Sequence, residues 1–440
     1  MNQLLESMID YIKKSLTTFI NSLLRLLLVA GSNIVIARYL GPNGKGILSL
    51  FMSFLSISLM VGMVGVDEAN IYFISSKKAS HNKIFANGIF HTIITTCFYF
   101  VIFLSLSNWL LNNPLRGLDR EYLYIAIALI PFYIINQHIR GILLGHREVY
   151  FYNLFIILQF LLIFLMQLIL IPSLEILGGI FAVVVAVISQ TIFGIIRTLK
   201  LGTPAKKVDF ILLKKSYSFG IKSQLGIIFS FLNQRLDVFF VNYFLNPYEV
   251  GIYAIATAIA EIPWHFASAV ATVLFPWIAD MKKEEAGKFS ATVIRNTVFF
   301  GLLMVIALFI FGRLVIILLF GGIFADSVFL MYILLPGIMG LSITRVLGGF
   351  FQGSGKPEFG TLMVTLSFIE TIVLDILLIP AIGTKGAAIA SSIAYITSAL
   401  IGLIIFSKMT KISILRAVLP QYQEIIKSIK LLKNIKKRNL

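Results

Sequence analysis

Apolar residues run in blocks of roughly twenty along this chain, the length that spans a bilayer as helix, and polar stretches or glycine and proline divide them. Blocks lie near 17–38, 46–65, 84–106, 122–143, 152–171, 178–196, 217–245, 250–278, 293–311, 328–350, 358–380 and 385–406. Hydrocarbon offers no water to an unpaired amide, so runs of this length predict helices; barrel strands would be shorter and alternating. The expected fold class is all-α integral membrane, with about twelve transmembrane helices. Composition agrees. Mean hydropathy is +0.93, and charged residues make up 13% of the chain, against about 25% in soluble domains.

Charge changes the picture by orienting it. With the N-terminus inside, 27 of the 37 Lys and Arg fall in cytoplasmic segments and six in outer loops, Arg313 and Lys385 among the six. The positive-inside bias therefore places both termini in the cytoplasm. Most of the net charge of +17 sits in those inner segments, so topology accounts for the basicity and no nucleic-acid partner is inferred. The single cysteine, Cys97, excludes an internal disulfide and a cysteine-based metal cluster.

An internal repeat organises the blocks. LGPNGKGIL at 40–48 aligns with LNPYEVGIY at 245–253, an offset of 205, and LIPSLEILGGIFA at 170–182 aligns with LIPAIGTKGAAIA at 378–390, an offset of 208. The second offset also pairs Gly141 with Gly349, Gly145 with Gly353 and Phe151 with Phe359. Six helices separate the copies. An even number makes the repeats parallel, related by an axis along the membrane normal, and transporters so built bind substrate between their halves. The expected organisation is a cytoplasmic segment 1–16, a first lobe 17–196, a basic linker 197–216, a second lobe 217–406 and a basic tail 407–440. After Pro420 that tail reads either as an interfacial helix facing anionic lipid or as a frayed basic end.

These residues carry a family resemblance. Arg38-Tyr39-Leu40-Gly41-Pro42, with Gly44 and Gly46, resembles the first loop of the polysaccharide repeat-unit (O-antigen type) flippases, members of the multidrug, oligosaccharidyl-lipid and polysaccharide exporter superfamily. Asp237, Leu245, Pro247, Gly251 and Tyr253, then Phe275-Pro276, resemble a second motif of that family, and Gly353, Gly355, Lys356 and Pro357 a third. The resemblance spans roughly residues 15–406 and implies a V-shaped two-lobe transporter. Its implied activity is flipping an undecaprenyl-pyrophosphate-linked oligosaccharide to the outer leaflet of the inner (cytoplasmic) membrane by alternating access. The implied partners are that lipid-linked substrate, membrane lipid, a coupling H⁺ or Na⁺ and polysaccharide assembly proteins; no cofactor is implied.

Ionisable residues inside the blocks are the candidate chemistry, since a charge in hydrocarbon costs roughly 2.5–3.5 kcal/mol even on insertion scales. Arg25 and Arg235 occupy the first helix of each half, which in the superfamily lines the central cavity, and a guanidinium fork suits pyrophosphate. The alternative is that they form ion pairs with Asp237 or Glu370. Asp237 belongs to the family motif and either lines the cavity or braces the fold. Glu261 and His265 stand four apart around Pro263 and are ion-coupling candidates, with bracing the other reading. Glu370 and Asp375 rank lower. Lys222, Arg345, His138 and Arg140 lie nearer cytoplasmic ends, where cationic stems reach headgroups, and Asp67 and Glu68 fall at the inner end of the second helix.

Two relatives in the superfamily are rivals. A cation-coupled multidrug exporter is expected to carry an acid deep in its first helix, where residues 17–38 hold Arg25 and no acid. A peptidoglycan lipid-precursor flippase typically adds two helices beyond these twelve. An enzyme acting on lipid-linked glycans needs a sizeable outer loop, and here the longest have only about 15 residues. No phosphate-binding loop for ATP is present in the sequence.

Overall fold

Helices satisfy every backbone amide within their own segment, which the apolar blocks require. The computed structural model describes the backbone of residues 2–419, with side chains described except at 2–16, 19, 222–225, 227, 273, 275, 276, 279, 280 and 283. Lys222, Phe275-Pro276 and the tail after Pro420 therefore lie outside the described positions.

The chain forms two compact units. One comprises the residues up to Ile228 together with Asn246–Gly251, and the other comprises Phe229–Leu245 with the chain from Ile252 onward. In the first, α1 (Asn2–Met63) bends at Gly41, whose φ of 63° no L side chain adopts comfortably, immediately before Pro42. A break at Val64 and Gly65 separates it from α2 (Val66–Ser75). Then come α3 (His81–Ser105), the short α4 (Ser107–Asn112), α5 (Arg120–Gly145) and α6 (Val149–Leu201), which breaks at Glu175 three residues after Pro172. The chain crosses from the first unit to the second within α7 (Phe210–Asn233).

Beyond α7 lie α8 (Leu236–Phe244), α9 (Pro247–Ala260), α10 (Ile262–Asp280) and α11 (Lys283–Phe320). A 3₁₀ turn at Gly322–Phe324 precedes α12 (Asp326–Gly353), α13 (Pro357–Ile382), α14 (Thr384–Thr410) and α15 (Ile414–Val418). Among the described residues eight helices are long and apolar enough to cross a membrane, or nine when α9 and the part of α10 up to Thr272, bent by 48°, count as one. The breaks inside α1 and α6 divide each between two of the predicted apolar blocks, and α7 with α8 cover a further block, so the described helices take up all twelve blocks.

The repeat is written in the backbone. Glu175 (φ 50°) and Gly383 (φ 66°) both turn the chain in the left-handed region 208 residues apart, as do Arg147 (φ 61°) and Gly355 (φ 71°). Just after the first pair of turns, a Cβ on Gly178 would stand 2.3 Å from the Leu170 carbonyl, and one on Gly386 would stand 2.3 Å from that of Leu378. Only glycine fits either position. The 205 offset has its own geometry inside the first unit, where Gly46 packs on the Pro247 carbonyl and Gly251 on that of Pro42.

One crossing is longer than the sequence predicts. The helix α11 runs 38 residues, continuing through Arg313, which the hydropathy pattern places in an outer loop. Nothing in its sequence breaks a helix before Gly321 (φ 104°), and a Glu284–Lys288 pair at i, i+4 supports its first turns.

Candidate functional site

The second unit buries polar side chains around the break between α7 and α8. Small residues make this feasible: Gly386, Ala387, Ala390, Ser391 and Ala394 let α14 approach its neighbours closely, and Gly337 of α12 lies against the Ser392 backbone. Asn233, the last residue of α7, donates to Ser367 Oγ (2.9 Å) and accepts from the Thr371 hydroxyl (2.6 Å). Ser367 Oγ in turn donates to the Ala394 carbonyl at 2.9 Å. Four residues past Asn233, Asp237 accepts from Tyr253 OH through one oxygen (2.6 Å) and from the Val238 N–H through the other (2.8 Å). Tyr253 OH also lies 3.3 Å from Ser391 Oγ.

Ser367, Thr371 and Asp375 repeat every four residues and share one face of α13. Asp375 has no exposed surface, and neither carboxylate oxygen has a hydrogen-bond partner among the described residues. Asp237 is near enough to act on it electrostatically. Burying an isolated carboxylate is so costly that it must take up a proton or a counter-cation. The carboxylates of Asp237 and Asp375 and the hydroxyls of this cluster offer oxygen, which suits a proton or a hard cation rather than a soft transition metal.

The predicted residues distribute unevenly around this cluster. Asp237 is enclosed in it. Arg235 precedes α8 and is half-buried, and Glu261 sits at the bend between α9 and α10; the charges of both act on Asp237. His265 is exposed and stacks obliquely on Trp264. Glu370, half-buried, accepts from Thr397 Oγ1 at 3.1 Å. Arg25 stands in the first unit, exposed, with its guanidinium 5.8 Å from the centre of the Phe160 ring. No carboxylate of the described residues lies within ion-pair distance of Arg25 or Arg235, so the alternative of pairing with Asp237 or Glu370 is not what the geometry displays. Asp375, ranked low by sequence reasoning, is the one with the strongest unmet demand.

The first unit buries a different kind of cluster. His138 is fully buried, 3.0 Å from Asn70 Nδ2 and 2.8 Å from His91 Nδ1. This corrects the expectation that His138 reaches for headgroups: an imidazole is too short, and its helix face points at α2 and α3. A second pair lies in the same unit, where His81 is 3.1 Å from His146 and 2.9 Å from the Gly202 carbonyl. Beside these pairs an apolar cavity of about 400 Å³ opens between α3, α5 and α6, capped by Pro204. The hydroxyls of its two threonines, Thr92 and Thr191, donate to carbonyls in their own helices, so the lining presents carbon to any occupant.

The profile of a family described as polysaccharide biosynthesis proteins matches residues 35–329. The chain belongs to that family. Over 219 residues this member of the polysaccharide biosynthesis family is 24% identical to a probable low-salt glycan biosynthesis flippase, Agl15, of Haloferax volcanii, a match covering 48% of this chain and 46% of that protein. It is also 24% identical over 378 residues to a membrane protein of Methanocaldococcus jannaschii, MJ1068, covering 80% of this chain and 75% of that one. Among solved structures, the lipid II flippase MurJ in an inward closed conformation matches with a TM-score of 0.75 at 17% identity, over 91% of this chain and 90% of that chain. An inward-facing multidrug resistance MATE family transporter of the MOP superfamily matches at 0.72 and 16% identity, over 88% of this chain and 96% of that chain. The fold is thus that of the multidrug, oligosaccharidyl-lipid and polysaccharide exporter superfamily, and the chain is a multi-pass membrane protein.

Proposed function

We propose that this protein flips an undecaprenyl-pyrophosphate-linked oligosaccharide from the inner to the outer leaflet of the cytoplasmic membrane by alternating access, with both termini inside. The observation that carries this reading is the polysaccharide biosynthesis family match across residues 35–329. The names of two similar proteins, a glycan biosynthesis flippase and a lipid II flippase, support the same class of cargo. In this proposal Arg25 and Arg235 hold the pyrophosphate, because a planar guanidinium fork binds phosphate oxygens in pairs. The sugar chain travels with the headgroup while the polyprenyl tail stays in hydrocarbon.

Flipping in one direction needs a source of free energy. The buried, unpartnered Asp375 supports H⁺ or Na⁺ coupling, with Asp237, to which Tyr253 donates, acting on it and Glu261, His265 and Glu370 as more peripheral candidates. A cation-coupled multidrug exporter is the second reading, favoured by the match to a drug transporter of this fold at a TM-score of 0.72.

The test is reconstitution in liposomes with a labelled polyprenyl-pyrophosphate sugar, comparing wild type with Arg25→Ala and Arg235→Ala at matched expression, with and without a cation gradient. Wild-type flipping that both substitutions abolish while the fold is kept upholds the proposal. Wild type that ignores the lipid-linked sugar but expels cationic dyes under a proton or sodium gradient overturns it in favour of drug export.

A further inference from the structure

In the second unit, α10 and α12 pack through small residues: a Cβ on Gly349 would come within 3.0 Å of the Ala271 carbonyl, and one on Gly348 would meet nothing within 4 Å. The space left beside this contact is a cavity of about 180 Å³ lined by Ala271, Thr272, Arg345, Gly349 and Gln352. Arg345 lies four residues before Gly349 on the same helix face, and eight residues before the end of α12 at Gly353, about 12 Å along the helix. The side chains of Arg345, Thr272 and Gln352 are exposed, so the space is an open cleft rather than a sealed one. Charged residues within a span characteristically face such a space and find a partner there.

The local geometry supplies no partner of opposite charge. Arg345 Nε donates to Ser268 Oγ at 3.2 Å, which fixes the plane of the guanidinium and leaves its two terminal nitrogens. Among the described residues no carboxylate lines the cavity and none lies within ion-pair distance of Arg345. The Thr272 hydroxyl is already committed to the Ser268 carbonyl at 2.9 Å. What remains facing the space is a braced cationic fork and the side-chain amide of Gln352. A fork of this kind matches two oxygens of a phosphate group. The volume is below the roughly 300–1,000 Å³ of drug-sized pockets, which fits a phosphate group and leaves no room for a sugar.

We infer that Arg345, braced by Ser268 and assisted by Gln352, forms a phosphate-binding site in the second unit that takes the diphosphate group of the lipid-linked cargo. This rests on the flippase reading for the identity of the cargo, though the site itself is defined by anion chemistry. It places a phosphate contact on α10 and α12, apart from Arg25 and Arg235, and assigns Ser268 as a positioning residue.

The experiment uses the full chain in nanodiscs of neutral phosphatidylcholine. Binding of farnesyl pyrophosphate is measured for wild type, Arg345→Gln, Arg345→Lys, Ser268→Ala and Gln352→Ala, with farnesol as the uncharged control and inorganic pyrophosphate and phosphatidylglycerol as competitors. Arg345→Gln is expected to weaken farnesyl pyrophosphate about tenfold or more, the scale of a lost charged hydrogen bond. Arg345→Lys should recover only part of this, Ser268→Ala and Gln352→Ala should lose less, and farnesol binding should stay level throughout. Pyrophosphate should compete in wild type and phosphatidylglycerol should not.

Equal binding by wild type and Arg345→Gln overturns the inference, and so does a matching loss of farnesol affinity. Phosphatidylglycerol competing as well as pyrophosphate overturns the assignment to cargo and leaves a bilayer headgroup site. Should Arg345→Gln fail to fold, unchanged binding in both Ser268→Ala and Gln352→Ala overturns it as well. Arg345-dependent binding in a wild type that flips no lipid sinks the flippase reading and keeps the site; flipping that is indifferent to Arg345 does the reverse.

Discussion

Both units bury polar clusters, and the two are built on different principles. Around His138 the first unit assembles imidazoles and an amide, Asn70–His138–His91, groups that can all be neutral. Around Asp237 the second assembles carboxylates, phenol and hydroxyls, and leaves Asp375 with no hydrogen bond to either oxygen. A neutral group that misses one partner costs about 1–3 kcal/mol, whereas an ionised carboxylate sealed in a low-dielectric interior costs far more and neutralises instead. The first cluster leaves His91 Nε2 without a partner among the described residues, a neutral shortfall it can bear as a brace between helices. The second is complete only with a proton or cation, which is what the coupling proposed above requires.

The sharpest way to break this contrast is Asp375→Asn. With the ionisable group gone, the cation-driven rate of flipping in proteoliposomes should fall by roughly a hundredfold, about 2.7 kcal/mol, while thermal stability holds because the amide has the size of the carboxyl and carries no charge to neutralise. A variant that keeps its cation dependence would show that the carboxylate plays no part in coupling. His138→Ala probes the other side. It leaves a cavity and strands Asn70 and His91, so unfolding monitored by tryptophan fluorescence should show a loss of roughly 3 kcal/mol. The folded fraction should keep its cation dependence. Loss of coupling at preserved stability would instead make the imidazole pair part of the ion pathway.

Much of the scaffold is legible in the sequence because its causes are local. Crossings follow from apolar run length, and the repeated breaks follow from glycine and proline at matched positions, Pro42 with Pro247 and Pro172 with Pro380. Two kinds of feature resist such reading. Glu175 takes the left-handed conformation that its counterpart Gly383 signals by residue type, so only alignment of the two copies points to it. The burial of Asp375 and the meeting of His91 with His138, 47 residues away, depend on which helix face meets which neighbour. Local sequence states that weakly. The spacing of Ser367, Thr371 and Asp375 at i, i+4 and i+8 in an apolar helix is the one local sign of a shared polar face.

A smaller perturbation sharpens the role of the phenol. Tyr253→Phe removes the donor to Asp237 and keeps the ring, which is fully buried. The expected loss is about 1–3 kcal/mol, the cost of leaving a buried acceptor unsatisfied. If cation affinity, measured by stabilisation against heat at increasing sodium or falling pH, shifts in Tyr253→Phe but not in His138→Ala, the two clusters are functionally distinct. Equal shifts in both would merge them.

The smallest effect belongs to a charge that stays in contact with water, and it calibrates the others. Before α7, Asp209 accepts from the Leu212 N–H (3.0 Å) and from Lys83 (3.0 Å), while its backbone N–H and carbonyl bond the Asn87 amide. The Leu212 N–H foremost, and then the Lys83 ammonium, hold this carboxyl below its ordinary value of 3.8. A depressed folded value means the contribution is fully present above pH 3.8 and is lost as pH falls through the lower folded value. Asp209→Asn keeps an oxygen for the Leu212 N–H and forfeits only an exposed ion pair, worth about 0–1 kcal/mol. Asp209→Ala removes the helix cap as well and should cost about 1 kcal/mol. Hydrogen exchange at the first turn of α7 reads both: Ala should open it at neutral pH, Asn should barely do so, and the wild type should approach Ala only in strong acid. A wild type already open at neutral pH would mean that the exposed carboxylate clasps nothing, and that linker and helix are held by the Asn87 amide alone.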